Sequence, residues 1–543
     1  GYKGVVLVNI LLDETRNWAK KNNLIPPRKP NQTLPWYCQS LIFRPSQRKF
    51  HAPRENNVEI VKISAPILVA LNKPLINILD QVSEMHGEIP HLRMCNRIFE
   101  LMEQHLESAI SALVDEPNAF LTLNEFPKLI LYDRLRDFNI TEEPFFRSML
   151  RSAALVGLHR LVDKMQIRIP ASQGRMAFGV VDETGLLQYG QIFFQYTTNA
   201  SLKYPSQHAD RIIHTGPVMI TKNPSVVAGD VRMFEGPVMI TKNPSVVAGD
   251  VRMFEAVDLP CLYDLVDVVV FPQSGPRPHP DEMAGSDLDG SDLDGDEYSI
   301  FWDPQLFLEK NEPAFDFTST AKNNAPGNDE EVKANFTELM AKFFKIYVSQ
   351  DSIGTIANAH LANSDLYGIN SEHCRNIALK HNQAVDFSKS GTVPDELTKN
   401  WEGGIPPEKV ERFPNFMCKG SQASYKSNRL LGDLYVRVME VREVIRVEEI
   451  ASTDEKVKID ESVLLEGDAI YEAKAQAAYD EYRTLIGSIC ESYGIANEGQ
   501  LFSSRFTALK KRISEKDDDN MSLFNTAHMI EQQLATIYAR FRT

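Results

Sequence analysis

The sequence predicts an α+β fold, because strand-rich and helix-rich regions alternate along its 543 residues. Short runs of β-branched and aromatic residues, bounded by Pro, Asn and Gly, recur in residues 1–72 and 173–310. Such runs are typical of the strands of small β-barrels. Apolar residues at helical spacing fill residues 73–172 and much of residues 331–543. An apolar content of 43% is sufficient for several buried cores.

Residues 1–72 are predicted to form part of a first barrel. The predicted strands are Val5–Val8, Ser40–Phe43 and Val58–Ile63. A short basic cluster of Arg44, Arg48 and Lys49 follows the second of them. A solvated loop is one interpretation of this cluster. The other is a site for phosphate groups, whose charge Arg and Lys neutralise.

Residues 73–172 are predicted to form a helical connector. Leu75, Ile76, Leu79 and Val82 recur at a period of 3.6, and the same period returns in residues 145–153. Such stripes indicate packing in a core, so we assign them no chemistry.

Residues 173–310 return to strands and predict a second barrel. The predicted strands are Met176–Val181, Gln191–Tyr196, Pro217–Ile220, Leu265–Phe271 and Ser299–Trp302. Lys242 and Asn243 lie in a Thr-Lys-Asn-Pro turn. On their own they are interpreted as surface turn residues.

The most informative stretch is the acidic loop at residues 284–298, between two predicted strands. Its aspartates are Asp287, Asp289, Asp292, Asp294 and Asp296. In an extended or looped chain, carboxylates at alternate positions converge on one side, whereas on a helix they scatter. Clustered carboxylates repel one another unless a cation is present. Hard oxygen ligands without His or Cys suit Mg²⁺ or Mn²⁺, so the loop is a candidate metal site.

Other interpretations compete with a catalytic metal loop. A helix–loop–helix calcium site needs Gly at its sixth position and Glu at its twelfth. Counted from Asp292, those positions hold Glu297 and Asp303, which excludes this class. A solvated acidic loop remains an alternative on composition alone. The strand–loop–strand context and Gly295 favour the metal loop of a transferase or phosphohydrolase.

A series of motifs runs in one order through most of residues 1–430. The segments are Gly1–Val5, Arg44–Ser46 with Lys49–Phe50, Asp182–Gly185, Tyr189–Gln191, Gly236–Pro244, Gly249–Arg252, Arg277–Pro280, Glu282–Gly285, Asp292–Asp296 and Gln383–Phe387. Together they resemble the cellular RNA-dependent RNA polymerases of eukaryotic RNA silencing. The resemblance implies two double-psi β-barrels, the first incomplete at the N-terminus, joined by a helical connector and followed by a largely helical C-terminal region.

The same resemblance implies RNA-templated RNA synthesis in small-RNA amplification. The residues that it implicates in catalysis and in binding Mg²⁺ or Mn²⁺ are Asp292, Asp294 and Asp296, and those for nucleotide or RNA binding are Arg44, Arg48, Lys49, Lys242 and Asn243. The expected partners are a single-stranded RNA template, nucleoside triphosphates and RNA-silencing proteins, with no membrane. The expected location is cytoplasmic, nuclear or both.

Two perfect tandem repeats interrupt the second barrel. Gly216–Glu235 recurs unchanged as Gly236–Glu255, and Ser286–Gly290 recurs as Ser291–Gly295. A barrel has a fixed number of strands, so the extra segment must be extruded or must displace its twin. Only the second short unit continues into Asp296, which favours that unit as the metal loop. The repeats indicate a recent duplication or an error in assembling the coding sequence, and they motivate the alternative of an inactive RNA-binding scaffold.

The remainder of the chain is predicted to be a linker at residues 311–330 and then helices. An apolar stripe through Phe336, Leu339, Met340, Phe343, Phe344 and Tyr347 is interpreted as core packing. An RNA-facing role is one interpretation of His373, Lys380, His381 and Lys389.

Composition limits the remaining possibilities. A formal net charge of −16 repels nucleic acid, so RNA binding requires a local basic lining together with metal ions. Six dispersed cysteines with no CxxC indicate reduced thiols and argue against a zinc or disulfide framework. Without an initiator Met, a signal segment or a long apolar span, we expect a soluble intracellular fragment.

Overall fold

The computed structural model describes residues 2–8, 10–27, 35–39, 41–43, 47–48, 57–124, 139–202, 208–221, 238–239, 251–273, 295–310, 336–349, 353–390, 393–401, 404–417, 424–453, 466–503 and 520–542. The chain divides into two compact units. The first comprises Gly1–Leu101 and Gln166–Asp433, and the second comprises Met102–Met165 and Leu434–Thr543.

The helices of the described residues are numbered α1 to α12. They are α1 Ile10–Lys21, α2 Lys73–His86, α3 Glu88–Ser111, α4 Glu116–Asn124, α5 Pro144–Lys164, α6 Phe336–Ser349, α7 Ile353–Tyr367, α8 Glu372–Ser390, α9 Leu430–Thr453, α10 Ala469–Tyr493, α11 Glu498–Phe502 and α12 Asn520–Arg542. None of these helices is both long enough and apolar enough to cross a bilayer.

The strands are numbered β1 to β12. They are β1 Ala70–Leu71, β2 Ile167–Arg168, β3 Gly174–Val181, β4 Gln191–Thr197, β5 Arg211–Ile213, β6 Gly216–Thr221, β7 Val238–Met239, β8 Val251–Ala256, β9 Val268–Phe271, β10 Glu297–Phe301, β11 Phe413–Pro414 and β12 Ser424–Tyr425. The predicted strands of residues 173–310 therefore appear as β3, β4, β6, β9 and β10.

Six of these strands close into a barrel in the first unit. The order around it is β4, β8, β6, β10, β3 and β9, and β9 returns to β4. The pairs β4–β8 and β3–β9 are parallel. The pairs β8–β6, β6–β10, β10–β3 and β9–β4 are antiparallel. Closure satisfies the backbone hydrogen bonds that an open sheet would leave at its edges.

Alternation of side chains along the strands fills the barrel. On β4, Phe194 and Tyr196 join a buried cluster that takes residues from all six strands, whereas Phe193 joins a second cluster on the outer face. The inner cluster consists of Ala177, Ile192, Phe194, Tyr196, Val218, Phe254, Ala256, Val269, Phe271, Tyr298 and Ile300. Burial of each large apolar side chain stabilises the fold by about 1.5–3 kcal/mol. The barrel is therefore a packed core.

The long repeat is divided between two strands of this barrel. The first copy supplies β6 and the second copy supplies β8, in the antiparallel register Gly216↔Ala256 to Thr221↔Val251. Because the copies are identical, β8 keeps the sequence that a single copy would have offered. Val238 of the second copy pairs in parallel with its own counterpart, Val218. The extra segment is thus inserted between β6 and β8, and the barrel keeps its six strands.

A buried polar contact joins two helices of the first unit, α2 and α7. Helix α2 begins at its cap Asn72, whose side chain accepts a hydrogen bond from the backbone N–H of Leu75 at 3.0 Å. Asn77 Nδ2 donates to Ser364 Oγ at 3.0 Å, and Gln81 Nε2 donates to the Ser364 carbonyl at 3.1 Å. The stripe of apolar residues predicted for α2 is fully buried.

The histidines of α7 and α8 lie in the interior. His360, His373 and His381 are all buried, and Lys380 Nζ lies 2.6 Å from Glu408 Oε2. The RNA-facing interpretation of His373, Lys380 and His381 is therefore wrong, because helix packing removes both rings from the surface and pairs the lysine. The side chain of Lys389 lies outside the described residues.

The second unit is helical around a small core of its own. Gly499 in α11 approaches α5 so closely that a Cβ atom would lie 2.3 Å from Ser148 Oγ. The rings of Phe145 and Phe502 meet edge to face at 5.4 Å beside this contact. The core residues are Ile486, Ile489, Ile495, Leu501, Ile530 and Leu534.

Two predictions of secondary structure and packing are corrected. Val5–Val8, the described part of Ser40–Phe43 and Val58–Ile63 form no strands. Apolar alternation specifies the faces of a strand, but a strand also needs partners, and among the described residues no strand or isolated bridge pairs with these segments. The apolar stripe of α6 is also not core, because Met340 and Phe344 are 50% and 65% exposed.

Candidate active site

Asp296 lies where the acidic loop enters the barrel. It directly precedes β10, and its backbone carbonyl accepts a hydrogen bond from the N–H of Gly179 on β3 at 3.1 Å. Gly295 before it has a φ of +129°, which side chains of L-residues rarely adopt. A glycine at this position thus allows the chain to turn from the loop into the strand. Asp296 is consequently fixed to the end of a rigid element.

A cation lies beside the first residue of β10. Lys62 Nζ forms an ion pair with Glu297 Oε1 and lies 5.6 Å from the centre of the Phe178 ring. Glu297 and Phe178 are register partners on β10 and β3. The Lys62 side chain is 46% exposed, so it retains contact with solvent. This places one positive charge next to the chain position that follows Asp296.

Two other carboxylates of the barrel are engaged in hydrogen bonds, Asp182 within a turn and Asp267 with the last residue of β4. Asp182 Oδ1 accepts from the Thr184 N–H at 2.8 Å, and its Oδ2 accepts from the Leu187 N–H at 2.9 Å. Asp267 accepts from both the N–H and the hydroxyl of Thr197, at 2.9 and 2.8 Å. Both carboxylates are buried. They therefore stabilise loop conformations, with Asp182 at the head of the Asp182–Gly185 motif.

The side chain of Arg175 is held within the barrel wall by contacts to neighbouring residues. Its guanidinium lies 5.1 Å from the centre of the Tyr196 ring and donates to the carbonyls of Gly174 and Thr198 at 2.9 and 3.2 Å. Burial lowers the pKa of Arg175. An arginine bound in this way is unavailable to phosphate groups.

The structure describes two of the residues predicted for the site. Asp296 has the position given above, and Arg48 forms an antiparallel bridge with Tyr2 near the start of the chain. The others, Asp292, Asp294, Arg44, Lys49, Lys242 and Asn243, lie outside the described residues. The roles assigned to all eight remain predictions.

Lys62 was not predicted from the sequence. It is indicated only by its contact with Glu297, which is far away in the sequence.

Comparison with known proteins adds to this geometry. A family model described as RNA dependent RNA polymerase matches residues 1–235 and 233–438. The two matched ranges meet at residues 233–235, the end of the first copy of the long repeat.

Named relatives cover most of the chain. It is 29% identical over 95% of its length to "Probable RNA-dependent RNA polymerase 1" of Oryza sativa subsp. japonica, and spans 60% of that protein. It is 26% identical over 80% of its length to "RNA-dependent RNA polymerase 1" of Schizosaccharomyces pombe, and spans 32% of that protein. The chain thus spans less than two thirds of these relatives.

A solved structure shares the fold. The RNA dependent RNA polymerase QDE-1 from Thielavia terrestris matches with a TM-score of 0.50 and 18% identity, over 84% of this chain and 52% of that one. With a family model that matches most of residues 1–438, and relatives of the same name in a plant and in fission yeast, the chain belongs to the RNA-dependent RNA polymerase family.

Proposed function

We propose that this chain carries the catalytic core of an RNA-dependent RNA polymerase, which copies single-stranded RNA into complementary RNA by nucleotidyl transfer. The observation that supports this most directly is Asp296, held at the entry to a barrel strand in a chain of this family. The reaction is in-line attack of a 3′-hydroxyl on the α-phosphate of a nucleoside triphosphate. Template bases would be read by base pairing, so the protein needs only backbone, sugar and shape contacts.

The proposed cofactor is a divalent ion, Mg²⁺ or Mn²⁺. Asp296 offers carboxylate oxygens at a fixed strand end, and Asp292 and Asp294 would complete an all-oxygen ligand set suited to a hard cation. When bound, such an ion would lower the pKa of the attacking hydroxyl and neutralise charge on the triphosphate. Lys62 would contribute a positive charge beside Glu297, the residue that follows Asp296.

Membership of the family also suggests a fold for the whole enzyme and a biological setting. We infer that the six-stranded barrel is one of two double-psi barrels, and that small-RNA amplification in gene silencing is the biological setting. RNA-silencing proteins in the cytoplasm or nucleus would then be the partners.

The test is nucleotide addition by the chain as it stands. Purified protein is incubated with single-stranded RNA, labelled nucleoside triphosphates and Mg²⁺ or Mn²⁺. We expect complementary product strands. Asp296→Asn should abolish product while circular dichroism and RNA binding remain unchanged. The matched control is Asp264→Asn, because Asp264 is an exposed carboxylate in the same unit, and this variant should retain full activity.

Each other outcome identifies another function. RNA binding without product in the unaltered chain would indicate the inactive scaffold that the doubled acidic loop suggests. Cleavage of RNA or triphosphate, lost in Asp296→Asn, would indicate a metal-dependent phosphohydrolase. Retained synthesis in Asp296→Asn would refute the assignment of this residue.

A further inference from the structure

Three potential metal ligands of different chemistry lie together between α2 and α3. They are Asp80, His91 and Cys95, and their ligand atoms all lie within 4.8 Å of one another. His91 Nε2 is 3.2 Å from Asp80 Oδ1. Cys95 Sγ is 3.9 Å from the same oxygen. All three belong to the first unit and have no part in the acidic loop.

The helices themselves bring these residues together. His91 and Cys95 are four residues apart on α3, so they lie on one face, one turn apart. Gly87, between α2 and α3, has a φ of +123°, and this conformation reverses the chain so that α2 faces α3. Asp80 lies in the buried stretch of α2. Two rigid helices therefore hold the three ligands.

The separations match the edges of a zinc tetrahedron. With Zn–O and Zn–N bonds of about 2.0–2.1 Å, a tetrahedral O···N edge is about 3.3 Å, close to the separation between Asp80 and His91. With a Zn–S bond of about 2.3 Å, the O···S edge is about 3.5 Å. The observed separation between Asp80 Oδ1 and Cys95 Sγ is 3.9 Å, which is about 0.4 Å longer than this edge.

Charge favours a cation at this point. Asp80 is 4% exposed, and a buried carboxylate requires compensation. The guanidinium of Arg429, which attracts the Asp80 carboxylate, is bound to Glu84 Oε2 at 3.2 Å and to the Asp365 carbonyl at 3.1 Å. A divalent ion held by one carboxylate, one thiolate and one neutral imidazole would form a site with no net charge.

The donor set selects the class of metal. Thiolate and imidazole ligands favour Zn²⁺ and related transition metals, whereas Mg²⁺, Ca²⁺ and Mn²⁺ favour oxygen. The side chains of His91 and Cys95 are partly exposed, which gives an ion access and leaves room for water as a fourth ligand.

We propose that Asp80, His91 and Cys95 bind one Zn²⁺ ion, which joins α2 to α3 at an open, three-ligand site separate from the acidic loop. The ion would link α2 to α3 through metal–ligand bonds, in addition to the hydrogen bonds that Asp80 makes. A bound ion stabilises the folded chain by mass action.

The test uses Co²⁺ as a spectroscopic probe and Zn²⁺ as a competitor. The metal-free chain should bind one equivalent of Co²⁺ with a thiolate-to-cobalt charge-transfer band, which Zn²⁺ displaces, and Zn²⁺ should raise its melting temperature. Cys95→Ser should lose the band, and His91→Gln should weaken Zn²⁺ binding at least about tenfold, since loss of even outer-shell partners has effects of that size. The matched control is Cys490→Ser, a partly buried thiol in the second unit, which should keep the band.

The proposal is overturned if the folded, unaltered chain shows no charge-transfer band and no Zn²⁺-dependent melting shift. It is equally overturned if Cys95→Ser binds Co²⁺ with the same spectrum. Asp296→Asn should keep the band, which separates this site from the candidate active site. These readouts do not depend on polymerase activity, so the two proposals can fail independently.

Discussion

Arg97 on α3 donates from Nε to Asp303 Oδ2 at 2.6 Å, and both side chains are buried. Arg97 Nη2 also donates to Gln173 Oε1 at 2.8 Å. Gln173 precedes β3 and Asp303 follows β10, and these strands are antiparallel neighbours. One guanidinium thus attaches α3 to two adjacent ends of the barrel wall.

Arg97→Met should destabilise the first unit by about 3–5 kcal/mol, because it leaves the buried Asp303 carboxylate uncompensated. Urea unfolding followed by circular dichroism measures the change. The double variant Arg97→Met, Asp303→Leu should recover part of the loss. As a control, Arg437→Ala breaks the more exposed Arg437–Glu103 pair and should cost less than about 1 kcal/mol. Equal losses in both single variants would contradict the burial argument.

Deletion of residues 236–255 should stabilise the barrel. The single-copy chain offers β6 and β8 the same sequences, but its connection shrinks from residues 222–250 to the length of residues 222–230. Closing a loop about threefold shorter saves about 1 kcal/mol of conformational entropy. Urea unfolding of both chains checks this. A marked loss of stability would show that the second copy contributes contacts as well as length.

Stability should fall on acidification because of His381. Burial lowers the pKa of His381 from 6.5 to about 4. Between those values the unfolded chain binds a proton that the folded chain excludes, so the free energy of unfolding decreases as pH falls through this window. The contribution of His381 should reach about 3 kcal/mol at pH 4. His381→Leu should lose correspondingly less stability between pH 7 and pH 4, as measured by urea unfolding at each pH. An unchanged pH profile would contradict the assignment.

Lys62→Gln should reduce nucleotide addition several-fold, with the larger effect on the KM for triphosphate. The substitution leaves the Glu297 carboxylate without its cation beside the strand that Asp296 precedes, and this uncompensated negative charge would repel an anionic substrate. The loss should diminish at high salt, because screening weakens that repulsion. Lys399→Gln, at an exposed lysine paired with Glu396, is the control and should leave KM unchanged. Equal effects of both substitutions would point to net charge alone.

The sequence predicted which segments form barrel strands better than it predicted which strands pair with one another. β4 and β9 carry β-branched and aromatic runs buried on both faces, and such runs are visible in a single sequence. The segments near Val58 and Val5 carry similar residues but form no strand, since pairing depends on distant segments. β8 was not predicted, because Arg252 and Glu255 interrupt its apolar run.

The residues around the candidate site were visible in the sequence only in part, for a comparable reason. The spacing of the acidic loop and the family motifs indicated Asp296, whose role stays a prediction. Lys62, in contrast, reaches Glu297 only through the fold. His91 and Cys95 have a recognisable helical spacing, but Asp80 joins them only because the chain reverses at Gly87. Residues that converge through tertiary structure leave little trace in a linear pattern.

Because one repeat copy forms β6 and the other forms β8, part of each copy duplicates a sequence that the barrel already contains. Val238 and Met239 already lie at the seam between those strands, and they have the same sequence as Val218 and Met219. A damaging substitution of Val218 or Met219 therefore leaves a second Val-Met pair at the same seam. Such redundancy would let this stretch of the barrel accumulate mutations that a single-copy relative could not tolerate.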